Sequence, residues 1–171
     1  MKPADLLPDD PSPQRVLIAS REELRQAVEF AIRSSRRTLR ILHRDLGVFW
    51  LSSIAATEDL ERLLLASRNA RVRLLVDDPR WLEAGAARLR RLQQRFPHAL
   101  EMRVASPDDP VDDDAWLLAD DHLSLELRPT VTTQGDLRIH HKPHAQPLIA
   151  AFDRRWEAGA HNLPVSTLGL A

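Results

Sequence analysis

The chain contains no cysteine, and only two of its 24 basic residues are lysine. Without cysteine there is no disulfide framework and no thiolate chemistry. No apolar stretch approaches the roughly 20 residues of a membrane span. The N-terminal MKPADLLPDDPSPQ has one Lys, three Asp and four Pro where a signal peptide would carry an apolar core. These absences give a cytoplasmic location and no membrane partner as the expectation. A net charge of −1 also excludes the uniformly basic composition of a dedicated nucleic-acid binder, whose pI would exceed about 9.

What is present suits one domain of 171 residues. Proline and aspartate dominate 1–14, so a disordered arm is expected there, followed by a domain over 15–160 and a tail over 161–171. Charge is segregated along the chain. Residues 15–103 carry 18 Arg against 11 acids, whereas 104–127 carry eight acids and no Lys or Arg. Arginine forks carboxylates and phosphates and stacks on rings, which gives the basic part a binding potential.

Hydrophobic periodicity orders the elements. Ser20 and Glu23 form a capping box ahead of a helix over 21–35, with Leu24, Ala27, Val28 and Ala31 at helical spacing. TLRILHR (38–44) alternates as a strand. A loop with Phe49 and Trp50 follows, and these large apolar groups either fold back on the core or mark a contact surface. Thr57 is read as the cap of the next helix. ARVRLLVDD (70–78) is the clearest strand. Asp78-Pro79 starts a helix whose stripe is Leu82, Ala86, Leu89, Leu92 and Phe96. ALEMRVAS (99–106) alternates again. DAWLLADD and HLSLELR then form a hairpin turning near Asp120-Asp121-His122. The final helix, AQPLIAAFDRRWEAG, buries Leu148, Ala151, Phe152 and Trp156, and Trp116 is read as a second core tryptophan. Strands alternating with helices imply an α/β fold with a mixed, mostly parallel sheet flanked by helices.

RVRLLVDDP on the second strand, AWLLADD on a later one and FDRRW in the closing helix carry a resemblance. Over 18–160 the chain resembles one half of a phospholipase-D-like protein. It is especially similar to an uncharacterised bacterial branch that occurs alone or fused to acetyltransferase-like domains and shares SREELRQAV, RDL and VDDP. Active members carry His-x-Lys, four residues, then Asp. The resemblance makes the His the nucleophile on phosphorus, the Lys the holder of phosphate oxygens and the Asp the residue that closes the strand turn. With that Asp placed on Asp120, the Lys position falls on Ala115 and the His position on Asp113. The resemblance therefore implies a pseudoenzyme. It also implies a homodimer, because such half domains pair across a twofold axis.

Other candidates come from the residues themselves. His140-His141-Lys142 spells His-x-Lys, but Pro147 rather than Asp follows at the right distance, and no apolar strand does. His140, His141 and His144 with Asp136 fit no specific zinc spacing, so neither metal nor cofactor is expected. Arg44, Asp45, Asp77, Asp78 and Arg80 sit at strand ends, where open sheets place ligand clefts, with Asp113 expected at the same rim. Arg36, Arg37 and Arg40 offer a basic surface. The readings rank as follows: a non-catalytic module docking an unknown protein, then a nucleic-acid or nucleotide binder using those arginines, then a retained phosphodiesterase.

Overall fold

A computed structural model describes residues 1–129 and 131–160. The expected C-terminal tail, 161–171, lies outside the described residues. The elements are β1 (Gln14–Ile18), α1 (Arg21–Ser34), β2 (Thr38–Leu42), α2 (Ile54–Ala66), β3 (Arg71–Val76), α3 (Arg80–Ala84), α4 (Ala87–Arg95), β4 (Leu100–Val104), β5 (Trp116–Ala119), β6 (Leu123–Arg128), β7 (Val131–Ile139) and α5 (Lys142–Ala158). The strands form one sheet in the order β1-β7-β6-β5-β2-β3-β4. The expected mixed sheet between helices is present, but its parallel part is confined to β2, β3 and β4. The β2–β5, β5–β6, β6–β7 and β1–β7 pairs are antiparallel. After β4 the sheet grows by tight reversals, which can join only antiparallel neighbours, whereas the earlier strands are joined through helices.

The two faces of the sheet are covered unequally. Alternation sends Leu39, Ile41, Val72, Leu74 and Met102 to one face, where α1 through α4 close a large core. Among the described residues the other face is crossed by α5 alone. There Leu42, Leu75, Leu118, Phe152 and Trp156 make a smaller core. The remaining positions on that face are polar: Arg40 faces Arg73, and Arg73 faces Glu101, in register.

Several expectations need correction. The 1–14 arm is docked: Pro3–Asp5 is a 3-10 turn and Leu6 is buried in the large core, because an arm with even one apolar anchor gains by covering α1. The cap of α2 is Ser53, which accepts from the Ala56 N–H, while the Thr57 hydroxyl bonds back to Ser53 O. The helix expected from Pro79 to Phe96 breaks at Gly85 into α3 and α4, with the stripe intact through Leu82, Ala86, Leu89 and Leu92. Trp116 is half-buried rather than core, at the open start of β5, whereas Trp156 is only 1% exposed. Phe49 folds back into the core, and Trp50 lies half-buried under Arg21.

Strands β1 and β7 were not expected. Gly135 in β7 pairs with Leu127, and a Cβ there would sit 2.5 Å from Glu126 O, so only glycine permits that approach of backbones.

Candidate functional site

The motif strand β5 begins beside β2 and runs antiparallel to it, so residues 112–115 reach the carboxyl ends of the parallel strands. This convergence is secured from the backbone outward. Asp77 N and Asp78 N both donate to Arg44 O. The Asp77 carboxylate then accepts the Val111 N–H at 2.8 Å and the Asp112 N–H at 2.9 Å, tying the acidic loop to the end of β3.

The expected cleft residues therefore meet, and the charges of Asp45, Asp77, Asp78 and Arg80 are engaged locally, whereas the exposed Arg44 side chain has no hydrogen bond or ion pair among the described residues. Asp78 is held by Arg80 through both carboxylate oxygens, and the Arg80 guanidinium keeps its pKa at about 2. Asp45 accepts the Gly47 N–H. His43 takes the Asp45 and Leu46 N–H groups on Nδ1, so that nitrogen is an acceptor and the ring is neutral. Burial pushes its pKa below the ordinary histidine value, which outweighs the neighbouring Asp45.

At the motif positions the geometry is plain. Asp113 is exposed, and Ala115 is 4% exposed with its carbonyl accepting from Leu127 N. Neither side chain is a nitrogen nucleophile or a cation. Asp120 has a different role. At the far end of β5 its carboxylate accepts the backbone N–H groups of Arg36, Arg37 and Thr38 at 3.0, 2.8 and 3.0 Å, clamping the entry to β2. A cation that the folding brings to the mouth is Arg155 of α5, inside FDRRW. It is locked: one terminal nitrogen bonds Asp114 at 2.8 Å, Nε reaches Asp109 at 3.3 Å, and the guanidinium lies over the Trp116 ring.

The histidine string is structural in its placement. His140 stacks on His122 at 4.8 Å, His141 caps α5 by accepting the His144 N–H, and Lys142 pairs with Asp121. His144 Nε2 lies 2.5 Å from Glu126, a contact between distant segments that no local spacing announces. Asp136 is taken by Arg15 and Arg138, away from these rings. Among the described residues no three His, Asp or Glu groups converge as metal ligands.

The expected basic surface, Arg36, Arg37 and Arg40, lines a groove of about 460 Å³ with Thr38, Asp120, Asp121, His122 and Ile149. It lies at the opposite end of the strands from Asp113. Arg40 is bound to Asp153, while Arg36 and Arg37 are exposed.

A parallel β2–β3–β4 core extended by antiparallel β5–β7, with one helix on the second face, is the phospholipase-D-like fold. The chain belongs to the family described as a domain of unknown function (DUF7931), whose model matches residues 20–167. No curated protein matches it. Among solved structures it is similar to the phospholipase D family member Nuc of Salmonella typhimurium, with TM-score 0.65 and 16% identity over 88% of this chain and 98% of that one. NucT of Helicobacter pylori gives TM-score 0.57 and 10% identity, covering 88% and 99%. TrmBL2, an archaeal chromatin protein, gives TM-score 0.66 and 9% identity over 92% of this chain, which spans 56% of TrmBL2. At these identities the likeness is one of fold. Among the described residues no helix is long and apolar enough to cross a membrane.

Proposed function

We propose that this chain is a non-catalytic phospholipase-D-like module that acts by binding a macromolecular partner. The observation that carries this reading is the mouth of β5. Phosphoryl transfer by the route of this fold needs a nitrogen nucleophile and a cation for the developing charge. Exposed Asp113 and buried Ala115 supply neither, and Arg155 is neutralised by two aspartates. An anionic Asp113 repels a phosphodiester. In a twofold pairing across this mouth it would also repel its own copy, so pairing there needs intervening cations or water.

The composition ranks a protein partner first, because a polarised surface docks by charge complementarity. A second reading, nucleic acid, gains from a specific observation: Arg36 and Arg37 lie at the opposite end of the strands from the acidic mouth. The described DNA binding of TrmBL2, a protein of the same fold, agrees with that direction.

The test is turnover of a generic phosphodiester and of single- and double-stranded nucleic acid by the purified chain. No turnover above a blank is expected. Turnover that disappears in His140→Ala, His141→Ala or His144→Ala would overturn the reading and make the histidine string catalytic.

A further inference from the structure

We propose that the face of the sheet beside α5, built from Arg36, Arg37, Arg71 and Arg73, holds the phosphate backbone of single-stranded nucleic acid without reading its bases. The proposal rests on the second, nucleic-acid reading of the binding module above and names the form of nucleic acid.

The register creates the site. Thr38 pairs with Arg71 and Arg40 with Arg73 across parallel β2 and β3, which places the arginines of both strands on one face. Arg71 and Arg73 are two residues apart, about 6.6 Å along the strand. The Arg71 N–H donates to Arg37 O at 2.9 Å, so the 36–37 turn continues the same band. Like charges on facing positions of a sheet destabilise it, and this sheet keeps Arg40 opposite Arg73. Asp153 answers Arg40 only. Among the described residues Arg37, Arg71 and Arg73 form no ion pair, even though Glu101 is the register neighbour of Arg73. Arg36 has only a 3.9 Å approach to a 96% exposed Asp9.

The site is also partly preorganised. The Arg73 guanidinium lies 5.3 Å over the Trp156 ring, and its Nε is buried without a hydrogen-bond partner among the described residues. Arg71 is steadied by the carbonyls of Arg68 and Ala70. The groove at Arg36 and Arg37 also takes in Arg40, the register partner of Arg73, and its two acids are engaged, Asp120 by backbone amides and Asp121 by Lys142. Cations fixed in this way bind an anion with little ordering cost.

Two features narrow the ligand. The nearest large ring, Trp156, is 1% exposed, so it offers no platform on which bases could stack. Recognition is then confined to the backbone and ignores sequence. The exposed acids Asp112 and Asp113 lie at the other end of the strands, and the acid at the arginine end, Asp121, is paired with Lys142. A stiff duplex, with a persistence length of about 50 nm, extends past both ends of so small a domain, whereas a flexible strand can follow the arginines alone.

The experiment is fluorescence-anisotropy titration of labelled oligothymidine, a labelled duplex and anionic vesicles of phosphatidylglycerol at several salt concentrations. Four phosphate contacts predict a log–log salt slope of about −3 and a dissociation constant of about 10⁻⁴–10⁻⁶ M for the single strand. Each contact is worth about fivefold at 0.1 M salt on that scale, so Arg37→Gln/Arg71→Gln should weaken binding about 25-fold and flatten the slope by about 1.4. Arg88→Gln/Arg91→Gln, on α4 behind the opposite face, should change neither. Arg37→Gln alone, at an exposed side chain with no hydrogen bond among the described residues, should cost about fivefold and guards against misfolding of the double variant.

Absence of strand binding by the wild type, equal loss in the α4 variant, or tighter binding of duplex or vesicles would overturn the proposal. Cleavage of the oligothymidine would instead sink the non-catalytic reading and leave the assigned surface standing.

Discussion

Replacing Asp120 by Ala should destabilise the protein by about 2–4 kcal/mol, although Asp120 is the motif residue that survives where the catalytic pair does not. Its carboxylate receives three backbone N–H groups from the turn into β2. Arg36 and Arg37 are exposed and their amides can turn to water, but the Thr38 amide is partly buried. Stranding one such donor costs about 1–3 kcal/mol. The two exposed amides add an amount of the order of a lost helix cap, about 0.5–2 kcal/mol. Asp120 also has φ 52°, a left-handed conformation that aspartate tolerates better than alanine. For a chain of this size each kcal/mol moves Tm by about 2–4 °C, so the drop should be roughly 5–15 °C. Asp120→Asn keeps one acceptor oxygen and should fall in between. Asp113→Ala, at an exposed side chain, should stay within about 0.5 kcal/mol. The assay is urea unfolding followed by tryptophan fluorescence, with a thermal scan beside it. If Asp120→Ala and Asp113→Ala unfold alike, the clamp is not what keeps Asp120 in place.

Trp156→Ala should cost about 3–5 kcal/mol, because the ring is 1% exposed, fills the smaller core with Phe152 and carries the Arg73 and Arg103 guanidiniums. Trp50→Ala, at a half-buried ring, should cost visibly less, and equal losses in unfolding free energy would refute the assignment. His43 gives a pH signature. Its folded pKa lies below the unfolded value of about 6.5, so the unfolded chain binds the extra proton. The stability tied to neutral His43 is complete above about pH 6.5 and is lost as the pH falls below it. Tm measured from pH 7.5 to 5 should therefore fall more steeply in wild type than in His43→Asn, and parallel profiles would contradict a neutral buried ring.

How much of this was legible in the sequence depends on where each signal resides. Helices α1, α2 and α5 and strands β2 to β6 announce themselves by periodicity, because each buries one face against a neighbour. QRVLI and VTTQGDLRI did not. β7 is polar because one of its faces lies on the thinly covered side of the sheet, and it contains Gly135, whose reason is the approach of Glu126 O across a strand pair. β1 is an edge strand of five residues behind a proline-rich arm, held by pairing with residues more than a hundred positions away. The cap of α2 was misplaced because Ser53 and Thr57 are one helical turn apart and both suit a helix start. In RVRLLV, Val72 and Leu74 declared the strand, and this strand signal masked the fact that Arg71 and Arg73 share the other face. The Arg155 lock depends on three segments meeting, so local spacing could not reveal it.

The near-zero net charge argued against a polyanion only while the charge had no place in space. The strands separate the two ends: Arg36 and Arg37 enter β2 at one end, and Asp112 and Asp113 precede β5 at the other. Five or six residues of strand put roughly 15–20 Å between them. At physiological ionic strength the screening length is about 8 Å, so a strand lying on the arginines barely senses the acidic mouth. Many of the remaining acids are not free to repel it. Asp77 and Asp120 hold backbone amides, Asp109 and Asp114 hold Arg155, and Asp121 holds Lys142. The acids of 104–127 therefore act chiefly as structural acceptors near the sites they stabilise. Among the described residues Arg37, Arg71 and Arg73 form no ion pair and Arg36 meets only the exposed Asp9, so this end keeps its cationic character on a face that one described helix covers.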